Sequence, residues 1–222
     1  NKVVHLGDFF DSAALNAEEI SALKEINWNK HIFHYFLCGN HEMGNSDLSF
    51  NSIRALGLCP FIDVIDKPYM QTEQDVVFIY LPYILEENRE SLIHYIPSKE
   101  ECEGRKRIVF SHNDIKGVQM GQFISKEGFE IDDIRLNCDL FLNGHLNKRK
   151  KISDKIINVG NLTGQNFSEN AFKNDHCAYI LDTDTMKVEV YENPFALNFY
   201  KIDFTNSVDY NIFNQLKNAV IT

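Results

Sequence analysis

Apolar runs along this chain are short, and four of them end at the same kind of boundary. Lys2-Val3-Val4-His5-Leu6 breaks into Gly7-Asp8, and the run over 32–37 breaks into Gly39-Asn40-His41-Glu42. Arg107-Ile108-Val109-Phe110 meets Ser111-His112-Asn113-Asp114, and Leu140-Phe141-Leu142 gives way to Asn143-Gly144-His145. Short apolar runs closed by turn-forming residues predict buried strands. In open α/β sheets ligands sit beyond the carboxyl ends of the strands, so these polar clusters are expected at one edge.

Between the first two strands a helix is signalled by Asn16 as N-cap, Glu19 three residues on as its capping-box partner, and apolar Ile20, Leu23 and Ile26. A strand, a helix and a strand in that order imply parallel pairing. Further helices are predicted over 48–56, stopped by Gly57, and over 86–95. Strands are predicted over 61–65 and over 76–81, the latter closed by Pro82. The tail reads as strands at 156–159, at 178–181 turning through Asp182-Thr183-Asp184 into 188–191, and at 199–204, then a helix over 208–220. With no repeat or linker tract, the pattern predicts an α/β domain of two sheets with helices outside them over 1–204, and a helical extension over 205–222.

Composition narrows the class. The chain has 222 residues, 44% hydrophobic and 24% charged, and a domain of that size buries roughly 70–75% of its unfolded surface without a staple. Five scattered cysteines with no C-x-x-C pair point to free thiols in a reducing, cytoplasmic compartment. No apolar run approaches the roughly 18 residues of a membrane span. A net charge of −10 excludes gripping a polyanion by bulk electrostatics; local basic patches, bound cations or a basic partner would be needed. The chain opens at Asn1 already inside a strand pattern, so further residues are expected upstream.

Taken singly, each polar cluster reads as an ordinary strand-end turn. Together they deliver Asp8, Asn40 with His41, His112 and His145. A carboxylate, an amide oxygen and two imidazoles form a ligand set suited to manganese, iron or zinc. Strands hold their ends more tightly than loops do, which favours a preorganised site.

In their order, Gly7-Asp8-x-x-Asp11, Gly39-Asn40-His41-Glu42, the lone His112 and Gly144-His145-x-Asn147 resemble the motifs of the calcineurin-like metallophosphoesterases. Ser111-His112-Asn113, Gly117-Val118-Gln119-Met120-Gly121 and Gly160-Asn161-Leu162-Thr163 are similar to the DNA double-strand-break repair exonuclease branch, which includes SbcD-type nuclease subunits and phage relatives. The resemblance implies a sandwich of two mixed β-sheets flanked by helices, and metal-dependent hydrolysis of DNA phosphodiesters. It further implies two divalent metal ions, manganese first with iron or zinc as alternatives, and a coiled-coil ATPase partner. Asp8 would be shared by both metals, while Asn40, His112 and His145 would complete one of them. His41 would meet the leaving group, with Asp11 paired to it. Two departures stand out. The family's Asp-x-His motif should precede Gly7 and is expected upstream of Asn1, and Asn147 replaces a histidine at the first metal.

Outside the motifs, His5, His31, His34, His94 and His176 read as structural; within them, Glu42 reads as a residue that caps or pairs locally rather than binding metal. Lys148 and Arg149 open the basic run 148–151 beside His145. That run reads either as a solvated face or as a contact to the phosphate backbone. Ala13, Ala14, Leu15, Ile20, Leu23 and Trp28 read either as core or, as the resemblance implies, as a homodimer face. Two other functions remain open: a phosphoesterase acting on small nucleotides or phosphoproteins, and a non-catalytic scaffold with a degenerate first metal site.

Overall fold

All four apolar runs form strands, and their ends carry the polar clusters. The computed structural model describes residues 1–58, 60–120 and 123–202, with positions 211, 214, 216 and 219. In chain order the described elements are β1 (Lys2–His5), α1 (Ala17–Glu25), β2 (Phe33–Leu37), β3 (Ile62–Ile65), β4 (Tyr69–Glu73), β5 (Val76–Leu81), β6 (Lys106–Ser111), β7 (Gln119–Met120), β8 (Phe123–Ile124), α2 (Ile131–Asn137), β9 (Leu140–Asn143), β10 (Lys150–Lys151), β11 (Ile156–Asn158), β12 (Cys177–Asp182) and β13 (Lys187–Glu192). The protein is mixed α/β, with several sheets and few helices.

The chain forms two compact units: Asn1–His145 with Lys151–Ile157, and Leu146–Lys150 with the described residues from Asn158 onward. In the first, β1, β2 and β3 pair in parallel, as the strand-helix-strand order requires. A larger sheet has the order β10-β11-β9-β6-β5-β4, parallel across β5, β6 and β9, with β4 antiparallel at its edge. The apolar stretches of β2, β5, β6 and β9 are buried on both faces, which is why they read as continuous runs rather than alternating ones. Each fully buried Leu, Ile or Phe contributes roughly 1.5–3 kcal/mol. Tyr35 of β2 stacks on Tyr80 of β5 at 5.2 Å, and Lys2 reaches Gln71 at 3.1 Å and pairs with Glu73; these contacts join the two sheets. Phe10, Phe36, Cys38, Leu48, Ile53, Leu56 and Ile62 form a core cluster beneath the ends of β1 and β2.

Helix α1 carries the signalled capping box. Asn16 Oδ1 accepts from the Glu18 and Glu19 amides at 2.9 and 3.0 Å, and Glu19 accepts from the Asn16 amide at 2.7 Å. No residue of α1 is fully buried, so its caps carry an unusual share of its stability. Asn16→Ala is expected to cost about 1 kcal/mol in urea denaturation. A change near zero would show that Leu15, Leu23 and Trp28, which lean on the core, hold the helix unaided.

Two predicted helices differ. The segment predicted over 48–56 is a 3-10 helix at Ser52–Leu58 that runs through Gly57. Residues 45–51 are instead tied into loop turns by the Asn45 and Asn51 side chains, which compete with helical bonding. The segment predicted over 86–95 is two short 3-10 turns, Glu86–Asn88 and Leu92–His94, with Arg89 extended between them. Arg89 turns inward to the carbonyl of Ile84. Helix α2, the edge strand β4 and the antiparallel pairing of β7 with β8 were not foreseen.

In the second unit β12 and β13 form the expected hairpin. Asp182 Oδ1 accepts from the Asp184 and Thr185 amides at 2.9 and 3.0 Å, closing its turn. The strand predicted over 199–204 is not formed at 199–202. Its remainder, Cys59, Gly121 and the helix predicted over 208–220 lie outside the described residues, apart from the isolated positions named above.

Candidate metal centre

The first unit brings Asp8, Asn40, His112 and His145 to one point. Ligand atoms of Asp8, His112 and His145 all lie within 4.8 Å of one another. His112 Nε2 is 3.0 Å from Asp8 Oδ2, 3.1 Å from Asn40 Oδ1 and 3.2 Å from His145 Nδ1. The outer nitrogens are already engaged. His112 Nδ1 makes a short contact with the carbonyl of Leu6, which can only accept, so that nitrogen donates. His145 Nε2 lies 3.3 Å from Asp114 Oδ1 and donates to it. With the outer nitrogen donating, the inner nitrogen of each ring is the one placed to offer a lone pair to a cation.

That geometry tests whether a cation fits. A single proton on His112 Nε2 would serve one of the three atoms around it, whereas one cation at their centre serves them all. The donors are two imidazoles, a carboxylate and an amide oxygen, with outer partners of the kind that orient metal-bound histidines. The group could hold a metal ion.

Backbone and side chain both build this point. Gly7 has φ +89° and Asp8 has φ +53°; the second is rare for a non-glycine residue and typical of backbone held under strain at a site. A Cβ on Gly7 would enter the His112 ring, and one on Gly39 would strike the Asp8 carboxylate. Glycine at those two strand ends is thus a steric requirement of the cluster.

Glu42 does more than the local capping read from the sequence: its wholly buried carboxylate accepts from the nearby Gly39 amide at 2.7 Å and from the distant amides of Asp8 at 3.0 Å and Phe10 at 2.8 Å. It clamps the end of β1 to the end of β2. Burial pushes its pKa up, against the pull of the Phe10 and Gly39 amides.

Two buried asparagines brace the other two strand ends. Asn113 accepts from the Ile84 amide at 2.9 Å and donates to the Pro82 carbonyl at 2.8 Å. Asn143 exchanges two bonds with the Asn113 backbone, at 3.1 and 2.9 Å. The sequence showed both as motif neighbours without showing this role.

His41 sits beside the cluster and not within it. Its Nδ1 is 3.0 Å from Asp11 Oδ1 and its Nε2 is 4.0 Å from Asp8 Oδ2. Partial burial opposes protonation, but the charges of Asp8 and Asp11 and the hydrogen bond to Asp11 prevail and raise its pKa. The Asp11 side chain is 98% exposed, so its hold on the ring is screened by water. Asp8 moves the other way. Burial would raise its pKa, but the His112 ring beside it, with the His41 amide, lowers it overall.

Asn147, Lys148 and Arg149 belong to the second unit. Asn147 Nδ2 donates to Gln165 at 3.0 Å. Asn158 pins this loop through the carbonyls of Leu146 and Lys148 at 2.7 and 2.9 Å. Arg149 forks onto Asp175, with Nε at 3.0 Å, and that bond raises its pKa; Lys148 is exposed.

The remaining histidines lie elsewhere. His5 stacks on Phe36 and bonds His34, and burial with the neighbouring His34 pushes its pKa down to about 4. His176 bonds Asn161 in the second unit, and His31 and His94 are exposed.

Fold and site together define a mixed α/β protein with a histidine-carboxylate cluster at the strand ends. No model of a known protein family matches the chain, and no curated protein matches it.

Proposed function

We propose that this protein is a metal-dependent phosphodiesterase that hydrolyses DNA, built on the metallophosphoesterase sandwich and acting as the nuclease subunit of a repair or recombination complex with a coiled-coil ATPase. One observation carries the reading: four strand ends turn Asp8, Asn40, His112 and His145 onto a single point, with His41 beside it. Divalent metal ions held there, manganese by preference, would activate a water and neutralise charge at phosphorus. The protein's own groups divide the remaining work. Asp8, Asn40, His112 and His145 bind and orient, and Glu42 holds the loops that carry Asp8 and Asn40. His41 supplies a proton to the departing oxygen, in keeping with its raised pKa.

The net charge of −10 supports a second reading, a phosphoesterase acting on small nucleotides, which needs no extended grip on a polyanion. Manganese-dependent assays on linear duplex DNA and on nucleotide monoesters separate the two. Degradation of the duplex is expected. Turnover of monoesters with the duplex left intact would replace the nuclease reading with the second one. Tight binding of at most one metal, with no hydrolysis of either substrate at high manganese, would leave only a scaffold.

A further inference from the structure

Asp114 lies outside the ligand set, two residues beyond His112, yet it is the outer partner of the other histidine. Its Oδ1 is 3.3 Å from His145 Nε2. The two histidines therefore have unlike partners: His112 has a neutral backbone carbonyl, and His145 has a carboxylate. A carboxylate strengthens the donor power of the opposite ring nitrogen more than a carbonyl does.

Asp114 is itself held from behind. Its Oδ2 is 3.8 Å from Nη2 of Arg89, whose side chain is only 3% exposed. That guanidinium also bonds the Ile84 carbonyl at 2.6 Å, pairs with Glu86 and lies 5.4 Å from the centre of the Phe129 ring. Glu86 in turn accepts from the Gly128 amide at 3.1 Å, and the Asp114 carbonyl accepts from the Phe129 amide at 3.0 Å. The carboxylate thus has a partner at each oxygen, the His145 ring at Oδ1 and the buried Arg89 guanidinium as an ion-pair neighbour at Oδ2, and the inward extension of Arg89 between its two 3-10 turns is what brings that charge there.

We propose that Asp114, steadied by Arg89, is a positioning residue that locks His145 in the Nε2–H tautomer and strengthens its Nδ1 as a metal donor. The proposal rests on the reading of the cluster as a metal site, and it concerns affinity for the ion rather than the substrate. Asp114→Asn keeps an acceptor for the ring but removes its charge; Asp114→Ala removes both and frees the tautomer. Loss of such an outer partner typically costs 10- to 100-fold in metal affinity.

The test is calorimetric titration of Mn2+ into the metal-free full chain, with the metal-free Tm of every variant recorded. Wild type is expected to bind, Asp114→Asn to bind about 10-fold more weakly, and Asp114→Ala up to about 100-fold more weakly. Because Asp114 acts through His145, Asp114→Asn in a His145→Ala background should change affinity less than about twofold. A merely structural role would lower the metal-free Tm and carry the same affinity loss into that background, and either unchanged affinity in the single variants or a persistent loss in the double variant overturns the proposal. Such an outcome leaves the phosphodiesterase reading standing, since wild type still binds the ion. No Mn2+ binding by wild type overturns both.

Discussion

His41→Ala is expected to lower phosphodiester hydrolysis by about 10²–10⁴ while Mn2+ affinity stays within about twofold of wild type. The ring's Nε2 lies 4.0 Å from the Asp8 carboxylate, beyond hydrogen-bond reach, and its Nδ1 turns to Asp11. Removing it should therefore cost proton transfer to the leaving oxygen and not the hold on the ion. The effect should also depend on the leaving group. A substrate whose departing oxygen needs no proton, such as a nitrophenyl ester, should lose far less than DNA. Calorimetry and steady-state kinetics on the two substrates check this together. Release of the metal by His41→Ala would reassign the residue as a ligand, and an equal loss on both substrates would remove its role as acid.

Glu42→Ala is expected to be the most damaging single change to the fold around the site, destabilising the metal-free chain by about 3–5 kcal/mol. The carboxylate is wholly buried and serves three backbone amides from two strand ends. Truncation would leave those N–H groups without a partner. The cost per buried orphan is about 1–3 kcal/mol and is not additive. Glu42→Gln should lose about 1–3 kcal/mol, because its carbonyl oxygen can still accept while its amide group opposes the remaining donors. Both variants should also weaken Mn2+ binding, since Asp8 and Asn40 ride on the clamped loops. Urea denaturation of metal-free protein measures the first effect. A loss for Glu42→Ala below about 1 kcal/mol would mean that the loops hold each other through other contacts.

The two expected results depend on features of very different legibility. His41 and Asp11 could be paired from the motif that the chain resembles. Glu42 could not: a glutamate directly after a histidine in a turn looks like a cap, and nothing local says that its partners are the amides of Asp8 and Phe10, more than thirty residues earlier. Asp114 was hidden in the same way. It follows His112 by two positions, but it serves His145 on the neighbouring strand end.

By itself the sequence determined where the four strands that carry the cluster stop, the Asn16-Glu19 capping box, the Asp182 turn of the β12–β13 hairpin, and which side chains could be delivered to strand ends. Those signals act over a few residues, through apolar periodicity, the absence of a side chain on glycine, and side chains that bond nearby amides. Tertiary structure decided the rest. It replaced the helices predicted over 48–56 and 86–95 with 3-10 turns, because asparagine side chains tie up one segment and Arg89 turns inward from the other. It also decided which nitrogen of each histidine faces the cluster, since that depends on the Leu6 carbonyl and the Asp114 carboxylate arriving beside the rings. Parallel pairing of β1 with β2 and of β6 with β9 sets those meetings, and pairing between strands is a property of the folded chain, not of any stretch within it.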